Sequence, residues 1–236
     1  MCQTTTGDSS SSTERATLSA AARALVPSHP AAQEALDVAL KSLSPSLFNH
    51  SLRLYIYAQA LLDSAPLWLP GSFEVFKGVS VQPHVLFVAC IYHDLSTIEK
   101  YDNNPKRFEI VAGDEAVQLL RRHGESEAVA REAWLAMSLH TTPGIPENLG
   151  GAVQALRLGI RTEFRGHELP KEALSEEQWR VIDQDLPRLE IEKDLSDAVV
   201  RQALAMEVKA PRLTWAAELL KWKKANPDDE GTNQAF

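Results

Sequence analysis

The run Pro83–Leu95, PHVLFVACIYHDL, constrains the fold more than any other stretch of this chain. Val85 to Tyr92 carries no polar stripe, so as a helix it is apolar on every side and needs other elements all around it. It then ends on His93-Asp94. Polar groups at the end of a core helix are costly unless they are paired or bind something.

Elsewhere the apolar spacing is mostly helical, with few alternating β-branched runs. The pattern predicts helices over Pro30–Leu43, Ser46–Ser64, Phe108–His123, Glu127–His140, Ala152–Ile160, Ser175–Leu186, Leu195–Val208 and Arg212–Lys223. Pro30 suits a first helical turn, Gly124 a C-terminal stop, and Ser175 an N-cap. Loops are expected at 65–80, 99–107 and 141–151, where Pro, Gly and Asn cluster. The chain reads as an all-α protein with breaks near 94, 140 and 163. A polar tail at 1–15, one helical domain at 16–224 and a flexible tail at 225–236 complete the organisation.

Composition narrows the classes. With 32 acidic against 24 basic residues the net charge is −8. That disfavours general nucleic-acid binding, which needs a basic face, but leaves room for a local basic pocket. No apolar stretch reaches the ~20 residues that span a bilayer. Residues 1–15 have no apolar h-region. Cys2 and Cys90 imply no disulfide framework. A cytoplasmic protein with a small-molecule substrate is expected, and a homo-oligomer is compatible with the reading.

Four positions could carry chemistry. Adjacent helical residues point about 100° apart, but where the backbone changes course His93 and Asp94 can converge on one ion. Imidazole and carboxylate together suit Zn, Fe, Mn or a similar divalent metal. His50 starts an amphipathic helix, His140 ends one before a Pro/Gly loop, and Glu163 follows Leu158-Gly159-Ile160. Taken singly each has a plainer reading: a packed or capping histidine, a helix-terminal histidine, a solvated loop carboxylate. Together they recur in the order His, His-Asp, His, carboxylate. His29, His84, His123 and His167 read as surface or loop residues.

That order resembles the HD superfamily of metal-dependent hydrolases, over roughly Leu47 to Gly166, about half the chain. Closer still, the chain is similar to the fungal cyanamide hydratase-like group. The similarity is carried by NHSLRLYIYA (49–58), FVACIYHDL (87–95), RFEIVAGDEAVQLL (107–120), SLHTTPGI (138–145) and LGIRTEFRG (158–166). The resemblance implies a single HD-like helical domain with a buried metal site. His50, His93 and Asp94 match its ligands. Glu163 stands where the family usually has aspartate, which makes it the expected but altered fourth ligand. His140 matches a pocket histidine near the metal. Glu109 stands where dinuclear relatives carry histidine, so the resemblance implies one metal: Zn first, with Fe, Mn or Ni as alternatives. Glu109 then has a catalytic or orienting role.

The activity implied is addition of metal-activated water to a small neutral substrate, with cyanamide to urea as the leading case. His140 is the expected proton donor, assisted by Asp94. Thr141, Thr142, Phe108 and Arg53 are the expected pocket residues. Two alternatives stand beside it. One is a phosphohydrolase on a nucleotide or other phosphomonoester, which wants cations beside the metal, Arg53 and Arg107 being the candidates. The other is a degenerate domain acting as a binding module, supported by the Glu163 departure.

Overall fold

The computed structural model describes residues 16–68, 81–165 and 171–228. The expected tail at 1–15, most of the 65–80 loop, Gly166, His167 and the end of the 225–236 tail lie outside these. The described residues form helices α1 (Ala20–Ala24), α2 (Pro30–Ser42), α3 (Pro45–Trp68), α4 (Pro83–Tyr92), α5 (Phe108–Arg122), α6 (Glu127–Leu139), α7 (Gly151–Arg165), α8 (Glu176–Arg180), α9 (Ile191–Ala205) and α10 (Trp215–Ala225). They contain no strand. Nor do they contain a helix long and apolar enough to cross a membrane.

The uniformly apolar α4 sits where its composition demands. Every side chain from Val85 to Tyr92 is buried, and α4 packs on α2, α3, α5, α6 and α7. Its helical geometry stops at Tyr92, three residues before the expected Leu95. His93 is still αR, but Asp94 turns to φ −109°, ψ 5°, and Leu95–Thr97 form a 3₁₀ turn. Thr97 holds that turn by donating its hydroxyl to the Asp94 carbonyl at 2.8 Å. Ser96 donates to the Phe108 carbonyl at 2.5 Å, and Gln202 donates to the Ser96 carbonyl at 2.7 Å. The backbone therefore changes course at the pair whose side chains must converge.

Further boundaries differ from the sequence reading, among them the end of α3 at Trp68, inside the expected 65–80 loop, and the start of α9 at Ile191, before the expected Leu195. α7 runs to Arg165, beyond the expected end at Ile160, and does not break near 163; Gly159, inside it, allows close packing. The segment after Ser175 is a short α-turn followed by a π-turn over Val181–Asp185. Ser175 does cap it, in a reciprocal box with Gln178.

Gly159 lies where α7 meets α3. A Cβ there would stand 2.6 Å from the Leu54 methyl and 3.2 Å from the Leu54 carbonyl oxygen. The backbone oxygen cannot give way as a side chain could. Gly159→Ala is therefore expected to lose about 1–3 kcal/mol by overpacking, although alanine favours helix. Chemical denaturation measures it, and a neutral or stabilising result would contradict the tight α3–α7 contact.

Candidate metal centre

Two helix-borne imidazoles, His50 and His93, bring the same nitrogen together, and a third, His140, stands beside them across Asp94. His50 comes from the first turns of α3, His93 from the end of α4 and His140 from the end of α6; all three are at least 95% buried. His93 donates Nδ1–H to the Cys90 carbonyl at 2.7 Å, and His140 donates Nδ1–H to the Met137 carbonyl at 2.5 Å. A carbonyl can only accept, so in the neutral rings Nε2 carries the lone pair. The Nδ1 of His50 faces Glu163 Oε1 at 3.5 Å, which favours the same tautomer. Burial lowers the pKa of His50, although the adjacent Glu163 opposes this, and keeps its ring neutral near pH 7.

The inward side is crowded with electron pairs. His50 Nε2 and His93 Nε2 are 3.2 Å apart. Asp94 Oδ2 lies 2.9 Å from His93 Nε2 and 3.7 Å from His50 Nε2, and Asp94 Oδ1 lies 3.6 Å from His140 Nε2. Both Asp94 oxygens are buried without a hydrogen-bond partner among the described residues. Lone pairs facing a carboxylate at these distances repel unless a cation lies between them. His50, His93 and Asp94 each offer one donor atom within 4.8 Å of the others. Nitrogen and oxygen donors of this kind, each imidazole tied at its far nitrogen, fit a divalent metal.

Glu163 stands elsewhere. It was the expected fourth ligand, but its carboxylate is turned into Arg53, which donates from Nε to both oxygens at 3.1 and 3.0 Å and from Nη2 to Oε1. Arg188 lies 3.2 Å away on the other side. Glu163 thus meets the far nitrogen of His50. It is 5% exposed, a buried helical residue and not a loop carboxylate. Burial would raise its pKa, but hydrogen bonds from His50 and Arg53 outweigh this and bring it from 4.5 to about 2.

Arg53 and Phe108, expected in the pocket, lie behind it. Arg53 is buried by its carboxylate partner and by a 2.6 Å bond to the Leu186 carbonyl. Phe108 packs edge-on against His140, with ring centres 5.7 Å apart. Glu109, fully buried, accepts from Thr141 Oγ1 at 2.7 Å and from Arg107 Nε at 3.2 Å. It secures the start of the 141–150 loop and is not in the donor cluster.

Above the cluster opens a cavity of about 420 Å³. Thr141 and Thr142 are in its wall, as are Phe164, Leu195 and Trp215. So are Arg107, Arg157, Arg161 and Arg165. The last three are spaced four apart along α7 and form one stripe. That spacing stands in the sequence, but nothing there shows which way the stripe faces. Arg157 also donates to the His140 carbonyl at 2.9 Å and pairs with Glu147 at 2.7 Å. It therefore steadies the loop that carries His140.

A search of curated proteins finds no match. The sequence model of one family, the HD domain, matches residues 47–186, well over half of the chain, and encloses His50, His93, Asp94 and His140. The convergent donors and this match agree: the chain belongs to the HD-domain family of metal-dependent proteins.

Proposed function

We propose that this chain is a hydrolase with a single divalent metal, zinc by the chemistry of its donors, acting on a small anionic substrate of the phosphomonoester class. His50, His93 and Asp94 would hold the ion. When bound, such an ion acidifies water and polarises the scissile group. The remaining work falls to the chain. The Nε2 lone pair of His140 accepts a proton from the attacking water, and the resulting imidazolium returns it to the leaving oxygen. With its Nδ1–H held by the Met137 carbonyl, its Nε2 serves first as a base, whereas the sequence reading made it a donor. The α7 arginines bind the anion, and Phe164, Leu195 and Trp215 exclude water around an organic group.

The observation carrying this reading is the arginine-lined cavity. Cyanamide has three heavy atoms and no charge, so it would leave most of about 420 Å³ to solvent and make no use of a wall that carries four arginines, even though Arg107 and Arg157 already pair with Glu109 and Glu147. Hydration of cyanamide to urea remains the second reading. The sequence strings favour it, together with the one-metal donor set that results from engaging Glu109 with Arg107 and Thr141. The non-catalytic alternative rested on Glu163, and a three-residue donor set does not require Glu163.

Phosphate release from a phosphomonoester panel and urea release from cyanamide, on one metal-loaded sample, test the proposal. Urea release at a higher kcat/KM than any phosphoester would overturn it. Arg161→Met is expected to raise KM for the phosphoester about tenfold or more while leaving neutral substrates unaffected. His140→Ala is expected to retain metal and lower kcat about 10²-fold or more. Metal lost in step with activity would make His140 a ligand.

A further inference from the structure

We propose that His29, His84 and Glu125 form a second metal site, separate from the HD centre, which takes a borderline divalent ion such as Zn²⁺ or Ni²⁺. The three residues come from distant parts of the sequence. His29 caps α2, His84 lies in the first turn of α4, and Glu125 follows the end of α5. Each offers one donor atom within 4.8 Å of the others. His84 Nε2 is 2.6 Å from Glu125 Oε1, and His29 Nε2 is 4.0 Å from the same oxygen. Two imidazoles with one carboxylate are a common ligand set for such ions.

The surroundings suit ligation. The His84 and Glu125 side chains are only 11% and 14% exposed, while His29 is 34% exposed and leaves a path for an ion. Burial and the neighbouring His84 lower the pKa of His29, against Glu125, so its ring is neutral and can donate a lone pair. His123 stands at the edge and is already bonded to Glu34 at 2.7 Å. The N-terminal ends of α2 and α4 disfavour a cation and the end of α5 favours one. The Glu125 charge therefore decides the balance.

Capture releases the proton of the 2.6 Å His84–Glu125 hydrogen bond to solvent and requires one movement. The His29 and His84 rings are stacked with centres 3.7 Å apart and planes 16° from parallel, so an ion cannot lie in both planes. His29 is the more exposed and must swing. It then gives up the 3.2 Å bond in which its Nδ1 accepts from the Ala31 N–H. An ion held here would tie the start of α4 to α2 and α5. His93 lies at the other end of α4, nine residues or about 14 Å along the helix. The proposal does not depend on what the HD centre does.

Untagged full-length protein on immobilised Ni²⁺ tests the site, because a resin-bound ion cannot reach the buried HD cluster. Retention of wild type and of His93→Ala, with loss of retention in His84→Ala and Glu125→Gln, is the expected result. His29→Asn keeps a good N-cap and should also lose retention, which guards against misfolding as the cause. Zn²⁺ titration should show a second equivalent that is weakened at least about tenfold in the same variants. A protein that is not retained and takes up no second equivalent would overturn the proposal. So would one whose second equivalent survives His84→Ala, or disappears only with His93→Ala.

Discussion

Asp94→Asn is expected to abolish metal binding and reduce activity to background, yet to leave the metal-free protein at least as stable as metal-free wild type. The two halves have one cause. Asp94 places a carboxylate, 1% exposed, against the lone pairs of His93 and His140. Neither of its oxygens has a hydrogen-bond partner among the described residues. Without a cation that arrangement is repulsive, and the cost is borne by the fold. An amide of nearly the same shape removes the charge and supplies N–H groups that those lone pairs can accept. With a cation the ranking reverses, because the ion stabilises only the protein that binds it, by RT ln(1 + [metal]/Kd). Elemental analysis and thermal unfolding with and without chelator measure both halves. Stoichiometric metal in Asp94→Asn would remove Asp94 from the ligand set. A metal-free variant melting several degrees below metal-free wild type would show that the carboxylate has structural partners.

The feature that made Asp94 legible in the sequence was local. An apolar helix that ends on two adjacent polar residues must bury them or bind with them, and no other part of the fold is needed to see it. The same holds for Ser175 and Gly124, whose capping roles follow from a few neighbouring residues. Glu163 was not legible in this way. Its place in the order His, His-Asp, His, carboxylate can be read from the sequence, but order does not say which side of His50 it approaches. That depends on α7 continuing past Gly159 and crossing α3 closely enough to reach Arg53. Gly159 falls inside the expected helix, and only the packing shows it to be the contact point with α3. The arginine stripe was visible as spacing but not as a direction. His29, His84 and Glu125 were unreadable as a group, since only the packing of α2, α4 and α5 brings them together.

Glu163→Gln should be the most destabilising of the site substitutions, by about 3–5 kcal/mol, with a smaller effect on metal. The glutamate satisfies the Arg53 guanidinium, which is 1% exposed and has otherwise the Leu186 carbonyl as its bonded acceptor among the described residues. An amide keeps one acceptor but leaves the buried charge uncompensated. His50 loses an anionic partner for Nδ1, which typically costs 10–100-fold in metal affinity, far short of what loss of Asp94 removes. Arg53→Met with Glu163→Leu takes out both charges and should recover most of the stability, while metal affinity stays reduced because His50 is still unsupported. The pH dependence has a definite sign. The folded-state pKa of Glu163 is depressed from 4.5 to about 2, so its contribution is fully present above about pH 4.5 and is lost as the pH falls toward 2. That shift corresponds to about 3 kcal/mol, in keeping with the ion-pair figure. The stability gap between wild type and Glu163→Gln, measured by urea denaturation with metal removed, should therefore be wide at pH 7 and clearly narrower at pH 3. Protonation of the histidines other than His50, which Glu163 contacts, is shared by both proteins and cancels in the difference. A gap that stays constant from pH 7 to pH 3 would mean that the Glu163 carboxylate is not what holds Arg53 in the core.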